Sequence, residues 1–457
     1  MNRIRTTHRT LPHRTLPHRA SPLRTDPAAA ELTRWGWLDW WLLGILFGYI
    51  LFGRAFAHVG VRPLFIGEMT LGVFFLFRYQ ATVGTITRCL VNPTPLTPIA
   101  WCTYFLIVYG VVEVIRGIGA GHARSVALQN VIFNIYPLFV WIGLYVGLRH
   151  GDLLRKITLP LAWCNAAYGL IYVLVLGPLG LTVTAHIRTF SPFGQPNWSG
   201  PILIALVTFG GGMRRAGVPI VLNGLIFLVL QSRASWLAFM ACLPVWAVLS
   251  GRIVPMLKLG GTVVTLLAVG YVFDVRLPSP PGRHSEEISV RSIVGQVMAV
   301  VDQREATRSS DNFDTRASTI EWRIYWWKAI WRDLHSGSTM RALIGPGYGY
   351  PIWDLHEDPL EDFPLRTPHS VVFYTLGYTG WIGLLLFALM DASLLVALWV
   401  VYRRTGESFG ICIWILGNVA AVFDPYFETP YYAIVFYLLV GVSLAGLWRK
   451  NPGEPGT

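Results

Sequence analysis

The sequence predicts an all-α polytopic membrane protein with about 12 transmembrane helices and one large extracytoplasmic loop. Three observations lead there. The chain is 53% hydrophobic and 14% charged and carries 19 tryptophans, too apolar for a soluble protein of 457 residues. Its apolar runs follow one another at roughly the 20-residue length that a helix needs to cross the hydrocarbon core. Basic residues cluster in every second connection, as expected where Lys and Arg are retained on the cytoplasmic side.

In chain order the runs lie near 36–53, 61–77, 98–115, 127–148, 157–176, 199–212, 217–231, 233–250, 253–272, 370–402, 408–423 and 431–447. With the arginine-rich start (Arg3 to Arg34) inside, the even-numbered connections also fall inside. They carry Arg78 and Arg88, Arg149 with Arg155 and Lys156, Arg214 and Arg215, Arg252 and Lys258, and Arg403 and Arg404. Arg449 and Lys450 land inside as well, while the short connection Asp424-Pro-Tyr-Phe-Glu-Thr-Pro430, with no basic residue, lands outside. Residues 273–369 are then the large extracytoplasmic loop of one integral domain, 36–450. It is flanked by a cytoplasmic tail at 1–35 and a short cytoplasmic C-terminal tail at 451–457. The first tail repeats Arg-Thr-Leu-Pro-His (9–13, 14–18) without apolar periodicity, which predicts disorder. The first apolar run is long enough to remain a span, so no separate cleavable signal peptide is expected.

The net charge of +12 is accounted for by this sidedness and by the tail, which excludes nucleic acid as the partner and leaves the membrane. Cys89, Cys102, Cys164, Cys242 and Cys412 lie in or beside spans and form no CxxC pair, so neither a disulfide framework nor a metal site is expected. No repeat of the first half appears in the second, which weighs against inverted-repeat transporters.

Within the long loop, Leu277-Pro-Ser-Pro-Pro-Gly282 stops the ninth run. From Thr319 to Leu334 apolar and aromatic residues recur at helical spacing, predicting an amphipathic helix against the membrane surface that carries Arg323. Gly345-Pro-Gly-Tyr-Gly349 breaks the chain, and Pro368-His369-Ser370 opens the next run. His369 thus falls at an interface, where a neutral imidazole suits a general base for a hydroxyl; the plain alternative is a histidine that caps the helix. Arg233, in Gln231-Ser-Arg-Ala-Ser-Trp236, lies in a tight turn between two apolar runs. A guanidinium at membrane depth is costly, and its donor fork fits phosphate oxygens. For Arg233 and Arg323 alike, the alternative is an anchor reaching for the headgroups. Arg124 and Arg188 add outer cations and read equally as ordinary loop charges. The acidic run Asp354-Leu-His-Glu-Asp358 with Glu361 and Asp362 matches no calcium-loop spacing and reads as a solvated stretch. Glu68, Glu113 and Asp391 fall in or near spans, where each either serves transport or pairs with a neighbour.

Three segments together resemble the O-antigen ligase and O-antigen polymerase superfamily of bacterial envelope glycosyltransferases. They are Leu230-Gln-Ser-Arg-Ala-Ser-Trp-Leu-Ala238, then Trp322-Arg-Ile-Tyr-Trp-Trp-Lys-Ala329 with Leu343-Ile-Gly-Pro-Gly-Tyr-Gly349, and His369-Ser370 with Leu376-Gly-Tyr-Thr-Gly-Trp-Ile-Gly383. The resemblance implies transfer of a glycan from a polyprenyl-diphosphate donor to a lipid or saccharide acceptor, without metal, cofactor or nucleotide sugar. It implies that Arg233 and Arg323 hold the diphosphate, with Arg188 and Arg124 in support, and that His369 is the base. Family members often have Asn after the histidine and an acid in the following helix; this chain has Ser370 and Tyr378. Ligase and polymerase therefore both stay open. Two other classes also fit an anion site in a membrane: a flippase for lipid-linked sugars, and an acyltransferase using His369.

Overall fold

A computed structural model describes residues 35–61, 64–179, 181, 193–230, 232–274, 276–278, 287–290, 313–355 and 367–448. The two tails, Arg188 and most of the acidic run lie outside them. The fold is built from helices. In order these are α1 (Trp37–Ala57), α2 (Ile66–Phe77), α3 (Tyr79–Val91), α4 (Thr97–Gly119), α5 (Arg124–Asn130), α6 (Ile132–Ile135), α7 (Leu138–Arg149) and α8 (Leu153–Ile171). There follow α9 (Ser199–Phe209), α10 (Met213–Val229), α11 (Arg233–Leu249), α12 (Ile253–Val272), α13 (Phe313–Ser336), α14 (Thr339–Ile344), α15 (Val371–Thr405), α16 (Phe409–Phe423) and α17 (Pro430–Leu444). Two short antiparallel pairs, Gly60–Val61 with Leu64–Phe65 and Arg276–Pro278 with Glu287–Ser289, complete the described structure.

Each of the twelve apolar runs is carried by helix, because a backbone without water must close its own hydrogen bonds. Six helical stretches are long and apolar enough to cross a membrane: Trp37–Ala57, Thr97–Gly119, Arg124–Arg149, Leu153–Leu176, Val371–Thr405 and Pro430–Trp448. Others are shorter. At about 1.5 Å per residue, the 12 residues of α2 and the 11 of α9 each fall well short of a 30 Å core.

At the centre stands α17, most of it buried, against α7, α1 and α16. Glycines allow its close approach to α7: a Cβ on Gly143 would strike the Leu438 carbonyl, and one on Gly441 the Val140 carbonyl. Proline starts α17, where its missing N–H costs nothing, and Gly406 in the left-handed region ends α15 behind Arg403 and Arg404.

Two helices are broken at glycines. α1 bends at Gly53 (φ +48°), and α15 bends at Gly380 (φ +62°), leaving nine helical residues, Val371–Thr379, ahead of the bend. The break in α15 frees carbonyls that are then satisfied from outside: Gly347 N–H donates to Tyr378 at 2.9 Å, and the Tyr109 hydroxyl donates to Thr379 at 2.8 Å. A Cβ on Gly380 would lie 2.5 Å from Gly345 N and 2.6 Å from two carbonyl oxygens. Gly380→Ala should therefore destabilise the protein by about 2–4 kcal/mol, from left-handed strain plus overpacking. A lowered thermal unfolding midpoint in detergent is the check.

Candidate functional site

The glycine segment 345–349, which the sequence marks as a break in the chain, is a plug between α4 and α15. Arg116 on α4, paired with Glu113 at 2.5 Å, donates to the Ile344 carbonyl at 3.0 Å and the Gly345 carbonyl at 2.9 Å. Tyr348 N–H donates to the Glu113 carbonyl at 3.2 Å, Gly349 N–H to Asn130 Oδ1 at 3.2 Å, and the Tyr348 hydroxyl to Asn134 Oδ1. The backbone N–H groups of Gly347, Tyr348 and Gly349 that would cradle a phosphate are thus already used. The same bonds account for Glu113. Glu68 is likewise held locally, accepting from Phe65 N–H at 3.1 Å, and Asp391 accepts from Asn418 Nδ2 at 2.9 Å.

His369 and Arg323 do come together, over the end of the bundle where α15 begins and α16 ends. The helix predicted around Arg323 is α13, and its apolar stripe of Trp322, Trp326, Ile330 and Leu334 packs on the first segment of α15. The sequence placed this helix against the membrane surface. Trp326 Nε1 donates to the Ile352 carbonyl and Trp327 Nε1 to the Pro368 carbonyl, both at 2.8 Å, and the Trp327 ring stacks on Phe373. The tryptophans therefore fix α13 and the Pro368 turn as one unit.

The turn throws His369 into the left-handed region (φ +53°), shared among the described non-glycine residues only with Asp274. Such a conformation costs about 1 kcal/mol and persists where surroundings dictate it. Ser370, not His369, is the N-cap of α15, and no side chain caps that terminus, so the capping alternative does not hold for the histidine. Its ring meets Trp322 edge-to-face and turns Nδ1 toward Asp424 Oδ1, 3.6 Å away. Nδ1 is buried without a hydrogen bond, and 26% of the side chain remains exposed.

Arg323 reaches the same place from α13. One Nη donates to the Phe423 carbonyl at 2.7 Å, capping the C-terminus of α16, while Nε is buried without a hydrogen-bond partner among the described residues. Burial lowers the guanidinium pKa and the neighbouring Asp424 raises it. Both His369 and Arg323 therefore converge on Asp424.

Arg233 begins α11, half-buried. The far end of α11 lies beside the far end of α15, where the Tyr402 hydroxyl donates to the Leu249 carbonyl at 3.0 Å. Arg233 consequently stands at the His369 end of the bundle. Arg124 begins α5, exposed, six residues before Asn130, which bonds Tyr374 on the first segment of α15. Neither is brought into contact with His369. Arg188 lies outside the described residues.

Two acids of the site went unread in the sequence, Asp424 and Glu428, both in the connection between α16 and α17. The signal was present: a short acidic connection between two apolar runs, with no cation of its own, must find its counter-charges elsewhere. Glu428 is the more unusual. Both its carboxyl oxygens are closed to solvent, and burial pushes its pKa up to about 8, with the Thr367 hydroxyl opposing the rise and Asp424 adding to it. The ordinary value is about 4.3. The folded protein thus holds a proton that the unfolded chain releases, so this contribution to stability is full below about pH 4 and is lost as pH rises through about 8. The unfolding midpoint of the wild type should fall with pH across that interval, and Glu428→Gln should fall less.

The fold and site together define a helical, membrane-embedded protein with a histidine, two carboxylic acids and arginines gathered at one end of its bundle. No family model and no curated protein matches the chain.

Proposed function

We propose that the protein is a glycosyltransferase of the bacterial inner membrane. It transfers or polymerises a glycan from a polyprenyl-diphosphate-linked donor onto a hydroxyl of a lipid or saccharide acceptor, in the manner of O-antigen ligases and polymerases. In this reading the twelve apolar runs are twelve spans, both termini are cytoplasmic, and 273–369 and the α16–α17 connection face outward. The observation that carries it is the convergence of His369 and Arg323 on Asp424 at the end of the bundle where α15 starts.

The chemistry follows from those groups. With Nδ1 turned to Asp424, Nε2 of His369 is the nitrogen left to take the acceptor's hydroxyl proton. The acceptor oxygen then attacks the anomeric carbon as its bond to the diphosphate breaks, and the diphosphate leaves with the electron pair. The imidazolium so formed is stabilised by the Asp424 carboxylate, and the growing charge on the diphosphate by Arg323 and Arg233, in place of a metal ion or a general acid. Direct displacement inverts the anomeric centre. Retention in the product linkage, or a glycosyl-enzyme adduct, would refute that step. Asp424→Asn should slow transfer by about 10–100-fold, as when an outer carboxylate behind a histidine is lost.

The helix-borne acids Glu113, Glu68 and Asp391 are each engaged locally, which favours chemistry at one end over transport through the bundle. The deciding experiment gives purified protein a polyprenyl-diphosphate-linked oligosaccharide, with and without a lipid A core acceptor. Product ladders identify a polymerase and a single acceptor-dependent product a ligase. Intact donor moved across proteoliposomes, with none consumed, makes the protein a flippase.

A further inference from the structure

Glu428 has no part in the proposed transfer, yet it shares a turn with Asp424. That turn is tight: Tyr426 N–H donates to the Asp424 carbonyl at 2.6 Å, and the Thr429 hydroxyl to the Pro425 carbonyl at 2.9 Å. The Glu428 carboxyl is closed to water, with only the Thr367 hydroxyl beside it among the described residues, a condition that costs a charged carboxylate far more than a neutral acid. Of the groups around it only Asp424, on its own connection, carries charge, and of the same sign; Tyr374 and Tyr378 on α15, Tyr431 on α17 and Thr367 are neutral. His369 and Arg323 face Asp424, and Arg54 of α1 stands behind Tyr431. Among the described residues no cation therefore compensates a charge on Glu428 directly.

We propose that Glu428 is a positioning residue that works as the neutral acid: uncharged, it leaves Asp424 to carry the negative charge facing His369 and Arg323, and its ionisation closes the site to a diphosphate. The inference rests on the glycosyltransferase reading for the identity of that anion. Ionised Glu428 would add a second negative charge beside Asp424, cancelling the attraction of Arg323 for the donor. Donor binding should consequently weaken on the alkaline side as Glu428 loses its proton, with Arg323 still a cation.

The test has two readouts on the full-length protein in detergent. Infrared difference spectra between wild type and Glu428→Gln should show the carbonyl stretch of a protonated carboxylic acid at neutral pH, fading as pH rises through about 8. Titration with polyprenyl diphosphate should show affinity falling about tenfold between neutral pH and about pH 9 in wild type, the effect of one added charge at site distance. In Glu428→Gln, or in Glu428→Met if the amide misfolds, the same ratio should stay within about twofold. Absence of the acid band, or an alkaline loss unchanged by both substitutions, overturns the inference. If the band is present and the alkaline loss of diphosphate binding is relieved, yet no glycan is transferred from any donor, the glycosyltransferase reading fails while the role of Glu428 stands.

Discussion

His369→Ala is expected to reduce glycan transfer from a polyprenyl-diphosphate donor by about 10²–10⁴-fold, the usual contribution of a positioned general base. The residue stands where the backbone itself is unusual, at φ +53°, so a loss in the alanine variant alone mixes chemistry with conformation. His369→Asn separates the two. Asparagine tolerates the left-handed region and has no basic nitrogen, so it should keep the fold and lose the reaction. Unfolding midpoints that match wild type in the asparagine variant, with transfer rates as low as in alanine, would assign the loss to the imidazole. Transfer that persists in His369→Asn would remove His369 from the mechanism and leave it as a structural turn.

Arg323→Ala is expected to produce the second large effect. The substitution removes a cation from the position argued to hold the leaving diphosphate, worth about 10²–10³-fold in rate where one stabilising donor is lost. It also releases the Phe423 carbonyl at the end of α16 and leaves Asp424 facing His369 alone. Arg323→Lys distinguishes these roles. Lysine keeps the charge and a donor for the carbonyl, but lacks the planar fork that grips two phosphate oxygens. A lysine variant that folds normally and turns over slowly would tie Arg323 to the diphosphate. Normal turnover in the lysine and alanine variants alike would reduce it to a helix cap. Arg233 stands at the same end without a contact to His369, so its replacement should weaken donor binding more than it slows the chemical step.

Much of the frame was legible without coordinates. The runs along the chain show as helices because apolar length is a local property, set by side chains that follow one another. The helix around Arg323 was legible for the same reason: Trp322, Trp326, Ile330 and Leu334 recur at its period. His369 stood out by its place at the mouth of a run. What escaped was everything set by approach between distant segments. The glycine segment showed only as a break in the chain, because glycines serve both open turns and close packing, and only the position of Arg116, Asn130 and Tyr378 decides between them.

By itself, then, the sequence determined a membrane-type, all-helical chain, the position of a helix bearing Arg323, and a histidine at the start of a long apolar run. The tertiary structure alone decided that Asp424, far downstream in a connection marked in sequence only by its lack of cations, faces that histidine and that arginine, and that Glu428 is sealed beside it. The physical reason is that hydrophobic length and period act over neighbouring residues, whereas the pairing of a charge depends on which helix ends meet, and that is settled by packing among helices such as α13, α15 and α16.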